Sequence, residues 1–429
     1  MTGCNLVSVV DHCSCARSGP FPARGRDFGS VFEKDRLIPQ LARMVSAVAT
    51  PPPVLLSPPH LGGAEIGTIE ASFAEGWLAP AGPVPAAFEH AVSIATGFRH
   101  VLATCSGTAA LHLAYRCLDL QPGDHVWCPG FTFAATISPA VQMGAVPRFL
   151  DVDEACWTLD PAALVQELRA AARTGRLPRV VVAVDTYGQC ADLPALAAAC
   201  DPHGVALLSD SAAGMGATRH GRHAGHGARM AAFSFNGNKI VTTGGGGALA
   251  SDDPLPIARA RHLARHAREA TAHYQHDTTG YSYGLPSPLA AVGLAQLPLL
   301  AARVAARRAI ATRYALGLAD VPGVRLMPES PNGRSNRWLT AIRVDAARFG
   351  MDREGLRLVL EAAGIEARPV WKPLNLQPAF RSVAHAPLPV AERLFAEGLC
   401  LPSGSAMAPE VQDRVIAVIH DAHAAARRD

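Results

Sequence analysis

The sequence predicts an α/β fold, in which a large domain with a mainly parallel sheet flanked by helices precedes a smaller α+β C-terminal domain. Short apolar runs alternate with helix-like segments between residues 61 and 251, which is the pattern of repeated strand–helix units. The runs at 180–184 and 205–209 are almost entirely apolar, as expected for strands buried on both faces of a sheet. With 429 residues, 49% of them hydrophobic, the chain can enclose a large core in two lobes.

The predicted domain boundaries follow shifts in composition. Residues 1–50 mix Gly, Pro, Arg and Cys, so we expect a poorly structured extension that ends at a run of three prolines. Residues 51–305 carry the strand–helix alternation and form the large domain. Residues 306–429 form the small domain, where the segments are fewer and more widely spaced.

Hydrophobic periodicity places the elements in order. Apolar residues three and four positions apart mark helices, and short runs rich in valine, leucine and alanine mark strands. The predicted strands lie at residues 100–105, 124–128, 146–150, 180–184, 205–209, 248–250, 338–344 and 365–370. The predicted helices lie at residues 66–73, 84–96, 109–117, 133–143, 161–172, 193–199, 256–270, 287–307, 353–363, 390–397 and 409–425.

Charge and cysteine usage exclude several classes of function. A net charge of +3 gives no strong attraction to nucleic acid or to an anionic membrane. No apolar run is expected to span a bilayer, and the N-terminus lacks the layout of a signal peptide. The scattered cysteines are typical of free thiols in a reducing cytoplasm. Cys13 and Cys15 lie beside His12 but lack a second ligand pair, so no metal site is expected.

Two strand ends carry candidate binding residues. Ser106-Gly107-Thr108 separates a strand from a helix, where backbone N–H groups and the helix dipole favour an anion such as phosphate. A simple N-terminal cap of the helix explains the same residues. Asp210 ends a buried strand and therefore needs a charged or donor partner, although it could also cap the next turn.

A lysine completes the set. Lys239 lies between an aromatic strand end and the glycine run 244–247, which suits a side chain that enters a pocket and a backbone that passes close to a ligand. Desolvation there would lower its pKa and leave the amine nucleophilic toward a carbonyl. The alternative is an ordinary surface lysine beside a flexible loop.

Pyridoxal phosphate requires all three features together. Its aldehyde binds a lysine, its ring nitrogen needs a carboxylate, and its phosphate needs backbone and hydroxyl donors. Ser234 could add a hydroxyl to the phosphate, and Phe133 is the candidate to stack on the ring. Lys239, Asp210 and the Ser-Gly-Thr turn therefore predict a pyridoxal phosphate site.

These motifs and their order identify the chain as similar to the sugar aminotransferases of the DegT/DnrJ/EryC/StrS family, which share the aspartate-aminotransferase-like fold type I. The resemblance covers roughly residues 55–425. The segments that carry it are Gly76-Trp77-Leu78, Phe88-Glu89, Ser106-Gly107-Thr108-Ala109-Ala110-Leu111, Phe131-Thr132-Phe133, Tyr187-Gly188-Gln189, Ala191-Asp192, Asp210, Ser234-Phe235, Lys239, Gly246-Gly247, Gly280-Tyr281, Ala290-Ala291, Gln296-Leu297, Arg368-Pro369-Val370-Trp371-Lys372-Pro373 and Leu401-Pro402-Ser403-Gly404.

The resemblance implies roles for these residues. Lys239 holds the cofactor and acts as acid and base, and Asp210 pairs with the ring nitrogen. The other implied cofactor contacts are Ser106, Gly107, Thr108, Phe133, Ser234 and Ser282, and the implied substrate contacts are Arg368, Trp371 and Lys372. The implied reaction moves an amino group from glutamate to a nucleotide-linked keto-sugar, with a UDP-linked sugar for bacterial glycans favoured, in a homodimer that shares its active sites.

Four positions depart from the family pattern. Ala213 stands where the family often has Gln, His or Glu, so a polar contact to the cofactor is missing or supplied elsewhere. Ser282 and Gly284 replace the Asn and Arg of a Gly-Tyr-Asn-Tyr-Arg motif, and Asn375 replaces a frequent His. The changes at Ala213, Ser282 and Gly284 leave open a homologue that binds the cofactor but has lost catalysis and has a structural or regulatory role.

Two other interpretations of the function have less support from the sequence. A related sugar dehydratase carries histidine in place of the lysine, which Lys239 argues against. Nucleotide binding by the glycine run lacks the G-x-G-x-x-G spacing and a strand–helix–strand opening.

Overall fold

The computed structural model describes residues 52–427. The predicted extension at 1–50 and the Cys13–Cys15 pair lie outside these residues. The helices are Glu65–Ala74 (α1), Pro83–Thr96 (α2), Gly107–Cys117 (α3), Ser138–Gln142 (α4), Pro161–Thr174 (α5), Leu193–Cys200 (α6), Pro254–Ala264 (α7), Ser287–Gln296 (α8), Leu300–Gly317 (α9), Ala346–Phe349 (α10), Arg353–Ala362 (α11), Pro389–Glu397 (α12) and Pro409–Ala426 (α13). The strands are His100–Thr104 (β1), His125–Pro129 (β2), Val146–Leu150 (β3), Val180–Val184 (β4), Ala206–Asp210 (β5), Thr218–Arg219 (β6), Arg222–His223 (β7), Met230–Ser234 (β8), Gly247–Ser251 (β9), Val324–Leu326 (β10), Gly333–Arg334 (β11), Thr340–Val344 (β12), Arg368–Pro369 (β13) and Gly398–Leu401 (β14).

A seven-stranded sheet in the order β1-β9-β8-β5-β4-β2-β3 forms the centre of the molecule. Strands β2, β3, β4, β5 and β8 pair in parallel, whereas β9 runs antiparallel to both β1 and β8. The predicted mainly parallel α/β sheet is therefore confirmed. Because β9 alone is reversed, the carboxyl ends of β1, β4, β5 and β8 meet at the same edge.

Helices cover both faces of this sheet, as the apolar composition of its strands predicts. In β4, Val180 and Val182 belong to one buried apolar cluster, and the alternating residues Val181 and Ala183 belong to another. The first cluster includes side chains of α2, α3 and α8, and the second includes side chains of α5 and α6. The period of two along the strand thus fills both layers with side chains.

A second sheet, antiparallel and in the order β10-β12-β14-β13, follows along the chain. It has its own apolar cluster, which includes Ile310 and Tyr314 from the second half of α9. The first half of α9 contributes Leu300 and Val304 to the core of the large sheet. The boundary placed at residues 305 and 306 falls within this shared helix, and the division into two domains stays a prediction.

Several elements differ from their predicted bounds for local reasons. The helix predicted at 133–143 is a 3₁₀ turn at Ala134–Thr136 followed by the short α4, where Pro139 interrupts the hydrogen bonding of one continuous helix. The strand predicted at 365–370 joins the small sheet over β13, while Ile365, at its start, forms an isolated parallel bridge with Val54.

The segment Ser287–Gly317 is long and apolar enough to cross a membrane by length and composition, so the expectation that no run reaches this length is wrong. In this fold it forms α8, a 3₁₀ turn and α9, and 44% of its most apolar window is buried within the protein. It packs against α1 and α2 and carries the buried Arg303 and Arg307. These contacts are those of a core helix.

Candidate functional site

A cavity of about 370 Å³ opens where the carboxyl ends of β1, β4, β5 and β8 meet. This volume lies within the range of small-molecule sites. The structure brings eight of the predicted site residues to its wall: Ser106, Gly107, Thr108, Phe133, Asp210, Ser234, Lys239 and Trp371.

The turn after β1 forms one end of the cavity. Ser106 caps α3 through its Oγ, which accepts a hydrogen bond of 3.0 Å from the N–H of Ala109. A Cβ on Gly107 would lie 3.0 Å from the Cβ of Ser234, and one on Gly247 would lie 2.5 Å from the Gly107 nitrogen. The turn is therefore both a helix cap and a cavity wall, and the absence of a side chain at Gly247 lets its backbone approach the turn so closely.

Asp210 forms the floor of the cavity at the end of β5. Its side chain is 5% exposed, its Oδ2 accepts a 2.6 Å hydrogen bond from Thr136 Oγ1, and its Oδ1 accepts one of 3.1 Å from the Ala212 N–H. Burial raises the pKa of this carboxyl, while these two donors and the charge of Lys239 oppose the rise. Thr136 is itself held by Thr132, at 2.7 Å between the two hydroxyls.

Lys239 enters the cavity from the loop that follows β8. Its Nζ lies 3.8 Å from the centroid of the Trp338 ring, and the Trp338 Nε1–H donates to the carbonyl of Asn238 at 2.8 Å. Burial lowers the pKa of Lys239 to about 8; the Asp210 carboxylate opposes this change and the Arg307 cation adds to it. The buried Arg307 donates to the carbonyl of Trp338 and, at 3.1 Å, to Ser57 Oγ.

Aromatic side chains line the remainder of the cavity. Phe133 is 61% exposed and borders the opening. Trp371 stacks on Tyr187 with ring centroids 4.3 Å apart, and the backbone N–H of Trp371 donates to the Tyr187 hydroxyl oxygen at 2.8 Å. An exposed aromatic face at a cavity of this size suits a flat ring.

Three predicted site residues do not reach this cavity within residues 52–427. Ser282 is exposed and forms a backbone bridge with Arg265. Arg368 is 70% exposed and pairs with Glu366 at 2.8 Å. Lys372 is half-buried and outside the cavity wall.

The other three positions that differ from the family pattern lie in different parts of the structure. Ala213 lines the cavity with a methyl group. Gly284 pairs by backbone with Thr104 at the end of β1, and Asn375 Nδ2 donates to Glu392 at 2.7 Å.

Sequence reasoning missed Trp338, Thr136 and Asp185, which line or support the cavity. Trp338 lies just before β12, 99 residues after Lys239, and no spacing rule joins the two. Thr136 lies in a segment interpreted as an ordinary helix. Asp185 directly follows a buried strand, the same signal that singled out Asp210, and that signal could have found it.

The arrangement fits pyridoxal phosphate. An anion-binding turn, a buried carboxylate and a lysine of lowered pKa border one cavity, and these are the three groups that this cofactor requires. The Asp210 carboxyl is hydrogen-bonded but has no ion pair within residues 52–427, and burial raises its pKa, so a cationic ring nitrogen would suit it as a partner.

Comparisons with known proteins agree with this geometry. The model of the DegT/DnrJ/EryC1/StrS aminotransferase family matches residues 59–420. EpsN of Bacillus subtilis, described as a pyridoxal phosphate-dependent aminotransferase, is 44% identical over 370 residues, which cover 85% of this chain and 95% of EpsN. The GDP-perosamine synthase of Caulobacter vibrioides is 31% identical over 369 residues, covering 86% of this chain and 98% of that enzyme.

A solved structure shows the same fold. DesI, determined in the presence of its TDP-sugar product, superposes with a TM-score of 0.82 and 30% identity, over 91% of this chain and 99% of DesI. The resemblance, the fold class and the cofactor expected from the sequence are thereby confirmed. The chain belongs to the DegT/DnrJ/EryC1/StrS aminotransferase family and is a pyridoxal phosphate-dependent sugar aminotransferase.

Proposed function

We propose that this enzyme moves an amino group from glutamate to a UDP-linked keto-sugar in the cytoplasm, for bacterial glycan or amino-sugar biosynthesis. One observation carries the proposal: Lys239, Asp210 and the Ser106–Thr108 turn border a single cavity of about 370 Å³. The free state of the seven cysteines in the described part of the chain supports the reducing compartment.

The chain's own residues hold the cofactor at three points. The backbone of Gly107 and Thr108, with the hydroxyl of Ser234, would bind the phosphate at the start of α3. Asp210 would pair with the ring nitrogen, and Phe133 would cover one face of the ring. The bound cofactor supplies an electron-accepting ring that carries the amino group from donor to acceptor.

Lys239 is placed to move protons between the substrate carbon and the cofactor. With a pKa of about 8, its Nζ is a neutral base in a useful fraction of molecules near pH 7–8. The Trp338 ring, 3.8 Å from Nζ, stabilises the protonated amine through its π face. Both protonation states are therefore accessible, as an acid–base catalyst requires.

The sugar nucleotide would bind beyond the aromatic wall. Trp371 lines the cavity on the side of the small sheet, and the neighbouring Arg368 and Lys372 offer positive charge for a diphosphate. The names GDP-perosamine synthase and DesI with its TDP-sugar product support a nucleotide-linked sugar as the acceptor.

We propose a homodimer because Ser282, implied as a contact to the cofactor phosphate, is exposed and outside the cavity of its own chain. In a dimer the serine would act on the partner's site. Light scattering is expected to give twice the chain mass of 44.9 kDa. A monomer that retains full activity would contradict this assembly.

The amino donor and the acceptor are tested by two half-reactions. Glutamate alone is expected to convert the bound cofactor to its amine form, with loss of the long-wavelength absorbance, and 2-oxoglutarate is expected to restore it. A panel of UDP-, TDP- and GDP-linked keto-sugars is then read by the mass change that accompanies replacement of a ketone oxygen by an amine. We expect the UDP-linked keto-sugars to react.

Each alternative has a distinct result. A spectrum unchanged by glutamate, although other amino acids bleach it, would exclude glutamate as donor. A spectrum unchanged by every donor would indicate the homologue without catalysis. Amination of only TDP- or GDP-linked sugars would contradict the proposed UDP-linked acceptor and identify the nucleotide that the enzyme uses.

A further inference from the structure

Arg307 is a buried cation that the mechanism proposed above does not use. It lies on α9, is 1% exposed and, within residues 52–427, has no carboxylate as an ion-pair partner. Burial lowers its pKa to about 10, and the Arg303 cation, one turn earlier on the helix, adds to the fall, so the guanidinium stays charged at neutral pH. A buried charge without an opposite charge beside it is costly unless hydrogen bonds compensate for it.

The hydrogen bonds of Arg307 lead to the residue directly before Lys239. One of its terminal nitrogens donates to the carbonyl of Trp338, and the other donates to Ser57 Oγ at 3.1 Å. The Ser57 hydroxyl donates to the carbonyl of Asn238 at 3.0 Å, and the Trp338 Nε1–H donates to the same carbonyl at 2.8 Å. Two routes from one guanidinium therefore end on the Asn238 carbonyl, and together they use both of its lone pairs.

These two routes fix the lysine against the face of Trp338. Nζ of Lys239 lies 3.8 Å from the centroid of that ring, and the Lys239 backbone N–H donates to the Asn236 carbonyl at 2.9 Å. Arg307 holds the tryptophan at its carbonyl, and Asn238 holds it at its indole N–H. Neither the ring nor the lysine loop can shift without breaking one of these bonds. The planar fork of an arginine suits this task, because it donates to two acceptors in a fixed geometry.

The charge of Arg307 reaches the same amine. Burial lowers the pKa of Lys239 to about 8, the Asp210 carboxylate opposes this change, and the Arg307 cation adds to it. The other titratable groups near Arg307 are Arg303 and His60, and the pKa of His60 is lowered by burial and by both arginine cations. A neutral donor could make the two hydrogen bonds but would not oppose protonation of the lysine.

We propose that Arg307 is a positioning residue that holds the Lys239 amine at the site of proton transfer. It acts through Ser57 and Trp338, which fix the Asn238 carbonyl. This inference rests on the proton-transfer role proposed above for Lys239. In the described part of the chain Arg307 lies outside the cavity wall, so it affects the rate of proton transfer and not the binding of glutamate.

Two readouts in the full chain test this role. The first is the half-reaction with glutamate, from which the rate at saturation and the half-saturating concentration are both obtained. The second is the pH midpoint at which Lys239 of the cofactor-free protein becomes reactive toward acetic anhydride. Mass spectrometry quantifies the acetylated peptides, and Lys372, which lies outside the cavity wall, is the reference in the same digest.

Three variants separate position from charge. Arg307→Met removes both, so we expect the half-reaction at saturating glutamate to slow about tenfold, the half-saturating concentration to stay within about twofold, and the midpoint of Lys239 to rise by about one pH unit. Arg307→Lys keeps the charge and a donor, and is expected to restore the midpoint of the wild type. Ser57→Ala removes one route and leaves the charge, so we expect a half-reaction about threefold slower with an unchanged midpoint.

Arg308→Met is the matched control. Arg308 is the next residue on α9, but it donates to Glu329 and to the carbonyl of Ser335 instead of the neighbours of Lys239. This variant is expected to lower the unfolding temperature and to leave both readouts unchanged.

Two results would overturn the proposal. If Arg307→Met keeps the midpoint of the wild type while its unfolding temperature falls, the arginine serves only the packing of α9. If the variant changes only the half-saturating concentration of glutamate, the arginine binds the amino donor. Should Arg307→Met fail to fold, a half-reaction of Ser57→Ala as fast as the wild type would also contradict the proposal. A wild type without any half-reaction would refute the proposed function, and the midpoints of the cofactor-free proteins would still show whether Arg307 acts on Lys239.

Discussion

Replacing Lys239 with methionine is expected to lower turnover by more than about 10⁴-fold and to remove the long-wavelength absorbance of the bound cofactor. The reason is that no second amine is available, since Lys239 and Lys372 are the only lysines in residues 52–427 and only Lys239 lines the cavity. Lys372→Met removes the same charge outside the cavity wall and is expected to retain the absorbance. The measurement is a spectrum and a glutamate half-reaction for each variant. Turnover of Lys239→Met within tenfold of the wild type would remove the lysine from the mechanism.

The same variant carries a pH signature in the cofactor-free protein. The folded-state pKa of about 8 lies below the ordinary value of 10.5, so the folded chain binds fewer protons than the unfolded chain between these values. The free energy of unfolding of the wild type therefore rises as the pH increases from about 8 to 10.5, and the burial penalty is fully present below pH 8. Lys239→Met removes the penalty and is expected to be the more stable protein at pH 7, with an advantage that shrinks through this window. If the free energy of unfolding changed equally with pH in both proteins, the amine of Lys239 would be exposed to water in the folded chain.

The sequence predicts the sheet and the cofactor cradle well because both depend on local signals. The all-apolar strand at 180–184 agrees with β4 in every residue, since burial on both faces leaves no polar position in the run. Gly107 and Gly247 lie where two backbone segments approach closely: a Cβ on Gly247 would clash with the backbone of Ser106 and Gly107, and one on Gly107 would crowd Ser234. The direction of a strand has no comparable sequence signal, and nothing in the composition of β9 shows that it runs antiparallel to its neighbours.

The parts of the site that the sequence did not predict come from distant chain segments. Trp338 contacts Lys239 only because the segment before β12 folds back onto the large sheet, and a single tryptophan has no spacing that reveals this. The same is true of Arg307, a cation on α9 that acts on Lys239 from the helix shared by both apolar clusters. Burial is the main cause of the lowered pKa of Lys239, and the Arg307 cation adds to it, so tertiary contacts tune the chemistry of the amine while local sequence determines its position.

The Asp210 carboxyl is buried without an ion pair in the described residues, and its hydrogen bonds are to neutral donors. Such a group gains most from a ligand that brings its own positive charge into the cavity, since the pair then shares one low-dielectric environment. A protonated ring nitrogen of the bound cofactor would be such a ligand. Asp210 would hold that ring nitrogen in its cationic form, and Lys239 would take the proton from the substrate carbon.

Asp210→Asn is accordingly expected to lower turnover by about 10²–10³-fold while leaving the absorbance that depends on Lys239 in place. The amide keeps the shape of the side chain and an oxygen that accepts from Thr136. The loss of turnover therefore reports the contribution of the negative charge of Asp210. Glu65→Gln is the matched control: this buried carboxylate, with its pKa lowered to about 2, accepts from the Gly62 and Gly63 N–H groups away from the cavity. It is expected to lower the unfolding temperature without changing the turnover of folded enzyme. Turnover of Asp210→Asn within about fivefold of the wild type, less than 1 kcal/mol of barrier, would assign the electron-accepting state of the ring to another group.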